Sequence, residues 1–370
     1  MQKKFTLSLI IPCYNEEQTL ESCVERVMKI TENQQFTLEL IIVDDCSKDN
    51  SLLIAEKIVA KYPNVVKVLK HEKNRGKGAA LRTGLIYASG DYVGIQDADN
   101  EYNPMDYLTL LEPLIAGKAD VVYGSRYLRP DTRRVLYYWH TWMNKSLTTV
   151  SNMFSNLDIT DMETCYKLFR REVIQKIAPT LKEDRFGFEP EVTVKVAQGE
   201  YRVYECAISY NPRSYEEGKK IGWKDGVRAL YCLMHYGANT APLPMQLLLY
   251  LFIGGVAMLV NMLSFAGGQL AQIPMNVSII SSFLIAAAVN YILCILILFR
   301  HKARWNSAGE IFWYAVSIAI MGAIDYGVTL GLVAITSAMT AKFFASLCGF
   351  IGNFLFRKYL VFHEKNITIK

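Results

Sequence analysis

Charged residues become scarce in this 370-residue chain after Leu243. From there to Phe362 the sequence holds four apolar stretches, about Met245 to Ala266, Val277 to Phe299, Ile311 to Val333 and Ala341 to Phe362. Each is near the ~20 residues that a helix needs to cross the hydrocarbon of a bilayer. Arg357 and Lys358 interrupt the fourth, so its membrane part is expected to end near Phe356 with both cations at the interface. The connection after the second stretch reads "RHKAR" (Arg300 to Arg304) and the tail "HEK", whereas "GGQLAQIP" and "TSAMTAK" hold one cation, Lys342. By the positive-inside rule this predicts an integral protein of the cytoplasmic membrane, with the N-terminal part, the middle loop and both termini cytoplasmic.

Up to about residue 240 the chain mixes charged, aromatic and aliphatic residues as a soluble domain does. "MQKK" followed by "LSLII" has the look of a signal peptide, but Pro12 and Asn15-Glu16-Glu17 cut the apolar run short, and a first β-strand is expected instead. The eight cysteines show no paired metal spacing and are expected to be free thiols. A formal charge of +5 suits a membrane-apposed protein better than a nucleic-acid binder.

The soluble part alternates two periodicities. "FTLSLIIP", "LELIIVDD", "VVKVLKH", "DYVGIQDAD" and "ADVVYGSR" read as strands. Between them, "EEQTLESCVERVMKIT", "NSLLIAEKIVAKY" and "GAALRTGLIYAS" read as helices, the first with Leu20, Val24, Val27 and Ile30 at helical spacing. Near-continuous apolar strands with helical crossovers predict a parallel, doubly wound sheet whose ligands bind outside the carboxyl ends of the strands. The polar groups that stop three of these strands, "PCYNEE", Asp44-Asp45 and Asp97-Ala98-Asp99, would then face one crevice.

The apolar part repeats itself. Tyr250 and Asn261 recur as Tyr314 and Asp325, and Asn290 and Phe299 as Asn353 and Phe362, at an offset of about 63 to 64 residues. Two related hairpins are a pattern that carriers also use.

The carboxylates of Asp97 and Asp99, with Glu101 two residues on, point to a cation. In an extended segment residues i and i+2 lie on the same side, and a hard divalent ion held by carboxylates commonly also holds substrate phosphates. A Mg²⁺ or Mn²⁺ site for a diphosphate is therefore expected, with Asp97, Asp99 and Glu101 as ligands. "NRGKGAA" lacks the P-loop pattern, and no G-x-G-x-x-G follows the first strand.

Four motifs in order, "IPCYNEE", "IIVDDCSKD", "NRGKGAALRTG" and "QDADNEYNP", resemble the GT-A fold of family 2 glycosyltransferases over about residues 5 to 230. "DVVYGSRYL", "DMETCYKLFR" and "RSYEEGKKIGWKDG" look like segments of polyprenyl-phosphate glycosyltransferases of the dolichyl-phosphate mannose synthase type, and the four apolar stretches resemble a GtrA-like membrane domain. The resemblance implies a GT-A, Rossmann-like, mostly parallel α/β sheet flanked by helices in residues 1–230, a juxtamembrane or interfacial segment in 231–243, and an all-α four-helix transmembrane domain in 244–370. It implies a nucleotide-sugar donor, GDP-mannose or a UDP-sugar, and a polyprenyl-phosphate acceptor, and it leaves homo-oligomerisation open.

Carried over residue by residue, Pro12, Tyr14, Glu16, Val43, Asp44 and Asp45 would hold the nucleoside. Asp97, Ala98 and Asp99 would serve the metal and diphosphate. Arg126 would contact the donor, and Arg213 and Lys219 would close over the diphosphate. Asp99, Arg126 and Asp161 are the catalytic candidates, Asp161 as the residue that positions the acceptor. On the acceptor side, the aromatic and basic stretch around Tyr137, Tyr138, Trp139 and Trp142 suits a bilayer interface. There His140 and Asn144 sit one helical turn apart, with Lys145 adjacent, as candidate ligands of a lipid phosphate; relatives carry Arg and Ser at about the first two places. Two other classes stay open. The repeated spans could carry a lipid-linked sugar across the membrane, with Asn261, Asp325, Asn290 and Asn353 as its polar groups. A processive polysaccharide synthase is disfavoured by the lack of a Q-x-x-R-W motif.

Overall fold

The structure, a computed structural model, describes residues 5–32, 36–128, 134–212, 222–294, 297 and 308–356, with backbone alone at 308–315, 350–351 and 353–356. The chain divides into two compact units, Met1–Ala241 and Pro242–Lys370.

In the first unit seven strands form one sheet: β1 (Thr6–Cys13), β2 (Thr37–Asp44), β3 (Val66–Lys70), β4 (Tyr92–Ile95), β5 (Val121–Ser125), β6 (Lys167–Arg170) and β7 (Val203–Ala207), in the order β3-β2-β1-β4-β6-β5-β7. β1, β2, β3 and β4 pair in parallel, as do β5 and β7; β6 runs antiparallel to both of its neighbours. The expected parallel sheet is therefore mostly parallel. The chain winds from β1 outward through β2 to β3, then returns to β4 on the other side of β1, which makes the β1–β4 boundary the switch point where such sheets open a ligand crevice. The apolar runs that announced the strands are the core: Leu7, Leu9, Ile10, Ile11, Leu40, Ile41, Ile42 and Val43 are fully buried.

The crossovers are α1 (Leu20–Met28), α2 (Ser51–Lys61), α3 (Lys77–Tyr87) and α4 (Asp106–Ile115), followed later by α5 (Tyr138–Ser155), α6 (Arg171–Ile177) and α7 (Phe188–Gln198). α1 buries Leu20, Val24 and Val27 as the spacing predicts, and Ile30 follows in a 3-10 turn, Lys29–Thr31. A further helix, α8 (Trp223–Gly237), is tied to this unit: Arg228 forks onto the Glu183 carboxylate at 2.8–3.0 Å, and the Tyr236 hydroxyl donates to it at 3.0 Å.

At the end of the sheet away from the crevice, Glu39 on β2 accepts from Lys67, Ser8 and Ser89. Burial alone would raise its carboxyl, but these donors outweigh it and bring it down to about 2. A carboxyl depressed from the unfolded ~4.3 adds stability above that pH and loses it as pH falls toward the folded value. Glu39→Gln is therefore expected to lower the melting temperature at pH 7, with the deficit against wild type shrinking as the pH drops from about 4 toward 2. Thermal melts at pH 7 and pH 3 check this.

The second unit contains α9 (Leu243–Leu270), α10 (Met275–Leu293), α11 (Ala308–Val333) and α12 (Ala338–Phe356). Among the described residues three helical segments, Leu243–Leu270, Met275–Leu293 and Val316–Val333, are long and apolar enough to cross a bilayer. Lys342, expected in a connection, lies inside α12, fully buried and ion-paired with Asp325. One turn along α12, Ser346 accepts from Asn261 at 2.9 Å. The repeat-related Asn261 and Asp325 are thus both anchored on successive turns of one helix.

Candidate active site at the strand ends

Three of the central strands end in residues with left-handed backbone: Asn15 (φ 55°) after β1, Cys46 (φ 61°) after β2 and Asn100 (φ 59°) after β4. Asparagine tolerates this region, whereas cysteine seldom occupies it, so the loop is held there by its contacts. The first two loops are stitched together. Asn15 accepts from the Lys48 amide at 2.8 Å, Ser47 Oγ accepts from the Asn15 amide at 3.1 Å, and Ser51 Oγ accepts from the Glu16 amide at 2.8 Å. "PCYNEE" and "VDDCSKD" therefore form one continuous rim. Pro12, Tyr14 and Glu16 are half-buried along it, while Val43 and Ala98 are buried beneath the surface.

The paired aspartates after β2 divide their work. Asp44 is buried; one carboxylate oxygen accepts from the Ser47 amide at 3.3 Å and the other has no hydrogen-bond partner among the described residues. A buried carboxylate oxygen left unpaired is costly and marks a place where a donor group of a ligand or water fits. Asp45, expected to touch the nucleoside, has both oxygens engaged: it meets His71 Nδ1 at 2.7 Å and accepts from the amides of Arg75 at 2.9 Å and Gly76 at 2.6 Å. Its carboxylate folds the "NRGKG" loop. His71, which the sequence reasoning did not single out, completes this by meeting Thr83 Oγ1 through Nε2 at 2.9 Å.

That loop needs its glycines. Gly76 has φ +101°, and a Cβ there would stand 2.4 Å from the Asp184 carbonyl oxygen; one at Gly78 would stand 2.5 Å from that of Glu183. The close approach sets the backbone of Lys77 against residues 183–185, and the Ala79 amide donates to Asp184 O at 3.1 Å. Lys77 Nζ then lies 2.9 Å from Asp97 Oδ1 and 3.4 Å from Glu189 Oε1 on α7. Burial alone would make Lys77 a weaker base, but Asp97 and Glu189 outweigh it and hold the ammonium charged. Behind it, burial and the Glu189 carboxylate push the Glu163 carboxyl well above its ordinary range.

The set of three carboxylate ligands expected after β4 is not assembled. The strand stops at Ile95 and the chain turns through Asn100, so alternate residues no longer share a side. Asp99 accepts from the Glu101 amide at 3.2 Å, and Glu101 accepts from the Tyr210 hydroxyl at 2.7 Å. Among the described residues no group of three His, Cys, Asp or Glu side chains is placed to hold a metal ion. Two carboxylates, Asp97 and Asp99, remain at the strand end, a donor set that fits a Mg²⁺-like ion completed by substrate phosphates and water.

Tyr210 connects this strand end to the next. Its ring lies 5.1 Å from the Arg126 guanidinium, which forks onto Asp161 through Nε and NH2, each at 2.7 Å. Asp161, the candidate for positioning the acceptor, is fully buried and also accepts from the Arg126 amide at 3.0 Å, so its carboxylate is taken up by Arg126. The acceptor candidates lie beside this pair. Tyr127 receives a hydrogen bond from Asn144 Nδ2 at 3.2 Å, and its ring lies 5.6 Å from Lys145 Nζ. His140 is a half-buried residue one turn earlier on α5, against the ring of Tyr137. Around it Tyr137, Tyr138, Trp139 and Trp142 are exposed, an arrangement suited to a lipid interface. Arg213 and Lys219 lie outside the described residues.

Residues 8–178 match the model of glycosyl transferase family 2, and residues 249–362 match that of the GtrA/DPMS transmembrane domain. The two matches fall one on each of the two compact units of the chain. It is 29% identical over 219 residues to a dolichyl-phosphate beta-glucosyltransferase of Trichomonas vaginalis, a match covering 55% of this chain and 65% of that relative. It is 28% identical over 218 residues to the polyprenol monophosphomannose synthase of Mycolicibacterium smegmatis, covering 58% and 80%. Matches to the dolichyl-phosphate relatives thus span just under two thirds of their length. Among solved structures, a glucosyl-3-phosphoglycerate synthase from Mycobacterium tuberculosis aligns with TM-score 0.49 and 18% identity, covering 63% of this chain and 78% of that one.

Proposed function

We propose that the chain transfers a sugar from a nucleoside diphosphate to the phosphate of a long isoprenoid lipid, at the cytoplasmic face of the membrane. The observation that carries the proposal is the unbroken chain of contacts Asp99–Glu101–Tyr210–Arg126–Asp161, which joins an acidic strand end to Tyr127 and the basic, aromatic helix α5. The lipid-phosphate acceptors in the relatives' names support the same acceptor class here, and the glucosyl and mannosyl names leave UDP-sugars and GDP-mannose as the donors to compare.

In this reading the rim of Pro12, Tyr14, Glu16 and Asp44 takes the nucleoside, whose hydroxyls can donate to the Asp44 oxygen that has no partner among the described residues. Asp97 and Asp99 hold Mg²⁺ or Mn²⁺, which when bound neutralises the leaving diphosphate. Arg126, fixed by Asp161, supplies a second positive group beside it, and Arg213 and Lys219 are assigned to the same charge. The acceptor is its own nucleophile: a phosphate monoester has a second pKa near ~6 and is largely dianionic at neutral pH. The protein therefore needs no strong base, only in-line placement, and direct attack inverts the anomeric carbon.

Purified full-length protein in detergent, offered labelled UDP- and GDP-sugars with polyprenyl phosphate, should yield one lipid-extractable product carrying a single sugar. A polymer would favour a polysaccharide synthase, and no product would favour a carrier. The acceptor side is tested by His140→Ala, expected to weaken lipid-phosphate use about ten- to a hundredfold, the equivalent of one charge-assisted hydrogen bond, with donor affinity nearly unchanged. His140→Arg should restore it, since arginine carries a fixed positive charge and can pair with a phosphate through two N–H groups. An unchanged acceptor dependence in His140→Ala would move the phosphate toward Lys145.

A further inference from the structure

We propose that Lys77 is a resident cation for Asp97 that an arriving divalent metal ion displaces, and that Glu189 is the carboxylate to which Lys77 then moves. The exchange rests on the metal-dependent transfer proposed above. Three features support it. Lys77 Nζ contacts both carboxylates at once, 2.9 Å from Asp97 Oδ1 and 3.4 Å from Glu189 Oε1. The Glu189 side chain is only 6% exposed, and its second oxygen, Oε2, has no partner among the described residues, so it can accept more from Lys77 than it now receives. The backbone of Lys77 is clamped by Gly76 and Gly78 against residues 183–185, which leaves the side chain as the part that moves.

An ammonium and a divalent cation on the same carboxylate repel strongly at contact distance in a partly buried site. While Lys77 holds Asp97, one of the two negative charges of the strand end is offset and free metal binds poorly. A diphosphate supplies further oxygen ligands to the ion, and that added affinity lets the metal displace Lys77 from Asp97, while Glu189 keeps the released ammonium paired where an unpaired one would be costly. Metal binding thereby becomes coupled to nucleotide binding.

The test measures Mn²⁺ affinity of the full chain in detergent from the loss of the free-ion paramagnetic resonance signal, first with Mn²⁺ alone and then with UDP or GDP. Lys77→Met is expected to bind Mn²⁺ alone at least about tenfold more tightly than wild type, since a competing cation at contact distance is gone. Glu189→Gln should bind it severalfold more weakly in the wild-type background and be without effect in the Lys77→Met background, because Glu189 acts only through Lys77. Mn²⁺ affinity unchanged or weakened in a folded Lys77→Met protein overturns the exchange. If that variant does not fold, a folded Glu189→Gln with wild-type Mn²⁺ affinity overturns it instead. An equal weakening by Glu189→Gln in both backgrounds, the signature of a simple charge effect, also overturns it. Wild type that takes up no Mn²⁺ even with nucleotide removes the metal reading itself, whereas normal nucleotide-dependent uptake without the Lys77 effect removes the exchange alone.

Discussion

Asp161→Ala is expected to destabilise the first unit by about 3–5 kcal/mol and to remove most transfer activity. Its carboxylate is fully buried and holds a guanidinium that is only 9% exposed, so truncation leaves a desolvated positive charge without its partner. For a unit of this size that corresponds to a fall in melting temperature of roughly 6–20 °C. Arg126→Met combined with Asp161→Leu removes both charges and should recover much of the lost stability, since an apolar pair of similar volume is often as stable as a buried ion pair. Activity should stay lost in the double variant, because the positive group at the strand end is gone. Thermal unfolding and turnover of the three proteins check this. An Asp161→Ala protein that melts with wild type would contradict the buried pair, and an active double variant would contradict the role of Arg126.

Asp99→Asn should lower turnover about a hundred- to a thousandfold with a nearly unchanged melting temperature. The amide oxygen can still accept from the Glu101 backbone, so the turn survives, while the charge that would hold the metal ion is removed. Losing several kcal/mol of charge stabilisation corresponds to that range at about 1.4 kcal/mol per factor of ten. Excess chelator should have the same effect on wild type. Glu101→Gln should cost less than about tenfold, because Gln can still accept from the Tyr210 hydroxyl in a neutral hydrogen bond worth about 1 kcal/mol. Full activity in excess chelator would remove the metal from the account, and equal losses in the two variants would return Glu101 to the ligand set.

Much of the fold was legible because it is written in local pattern. The strands β1 to β5 are apolar runs bounded by turn residues, and the apolar helices of the second unit announce themselves by length. β6 and β7 escaped notice for physical reasons: "KLFR" is four residues long with a buried lysine, and β7 is an edge strand whose residues are mostly half-exposed. Helix α8 carries the chain past the expected boundary at residue 230, because Arg228 and Tyr236 bind a glutamate more than forty residues earlier in the sequence.

The site was legible as a set of motifs and opaque as a set of partners. The rim residues cluster as their motifs imply, yet Asp45 is consumed by amides thirty residues later and Asp97 by Lys77, pairings that no local spacing reveals. The expectation of three carboxylates on one side failed on a single local fact, the end of β4 at Ile95. The repeat at about 63 to 64 residues was visible, but not that Asn261 and Asp325 would both be anchored on α12.

The most direct measurement follows the acceptor itself. In a phosphorus NMR experiment, full-length protein in detergent is mixed with polyprenyl phosphate, Mg²⁺ and the donor selected from the panel. The account predicts that the monoester resonance is replaced by that of a phosphodiester, with one nucleoside diphosphate released per lipid converted and the sugar inverted at its anomeric carbon. A monoester signal that persists while nucleoside diphosphate accumulates would contradict it.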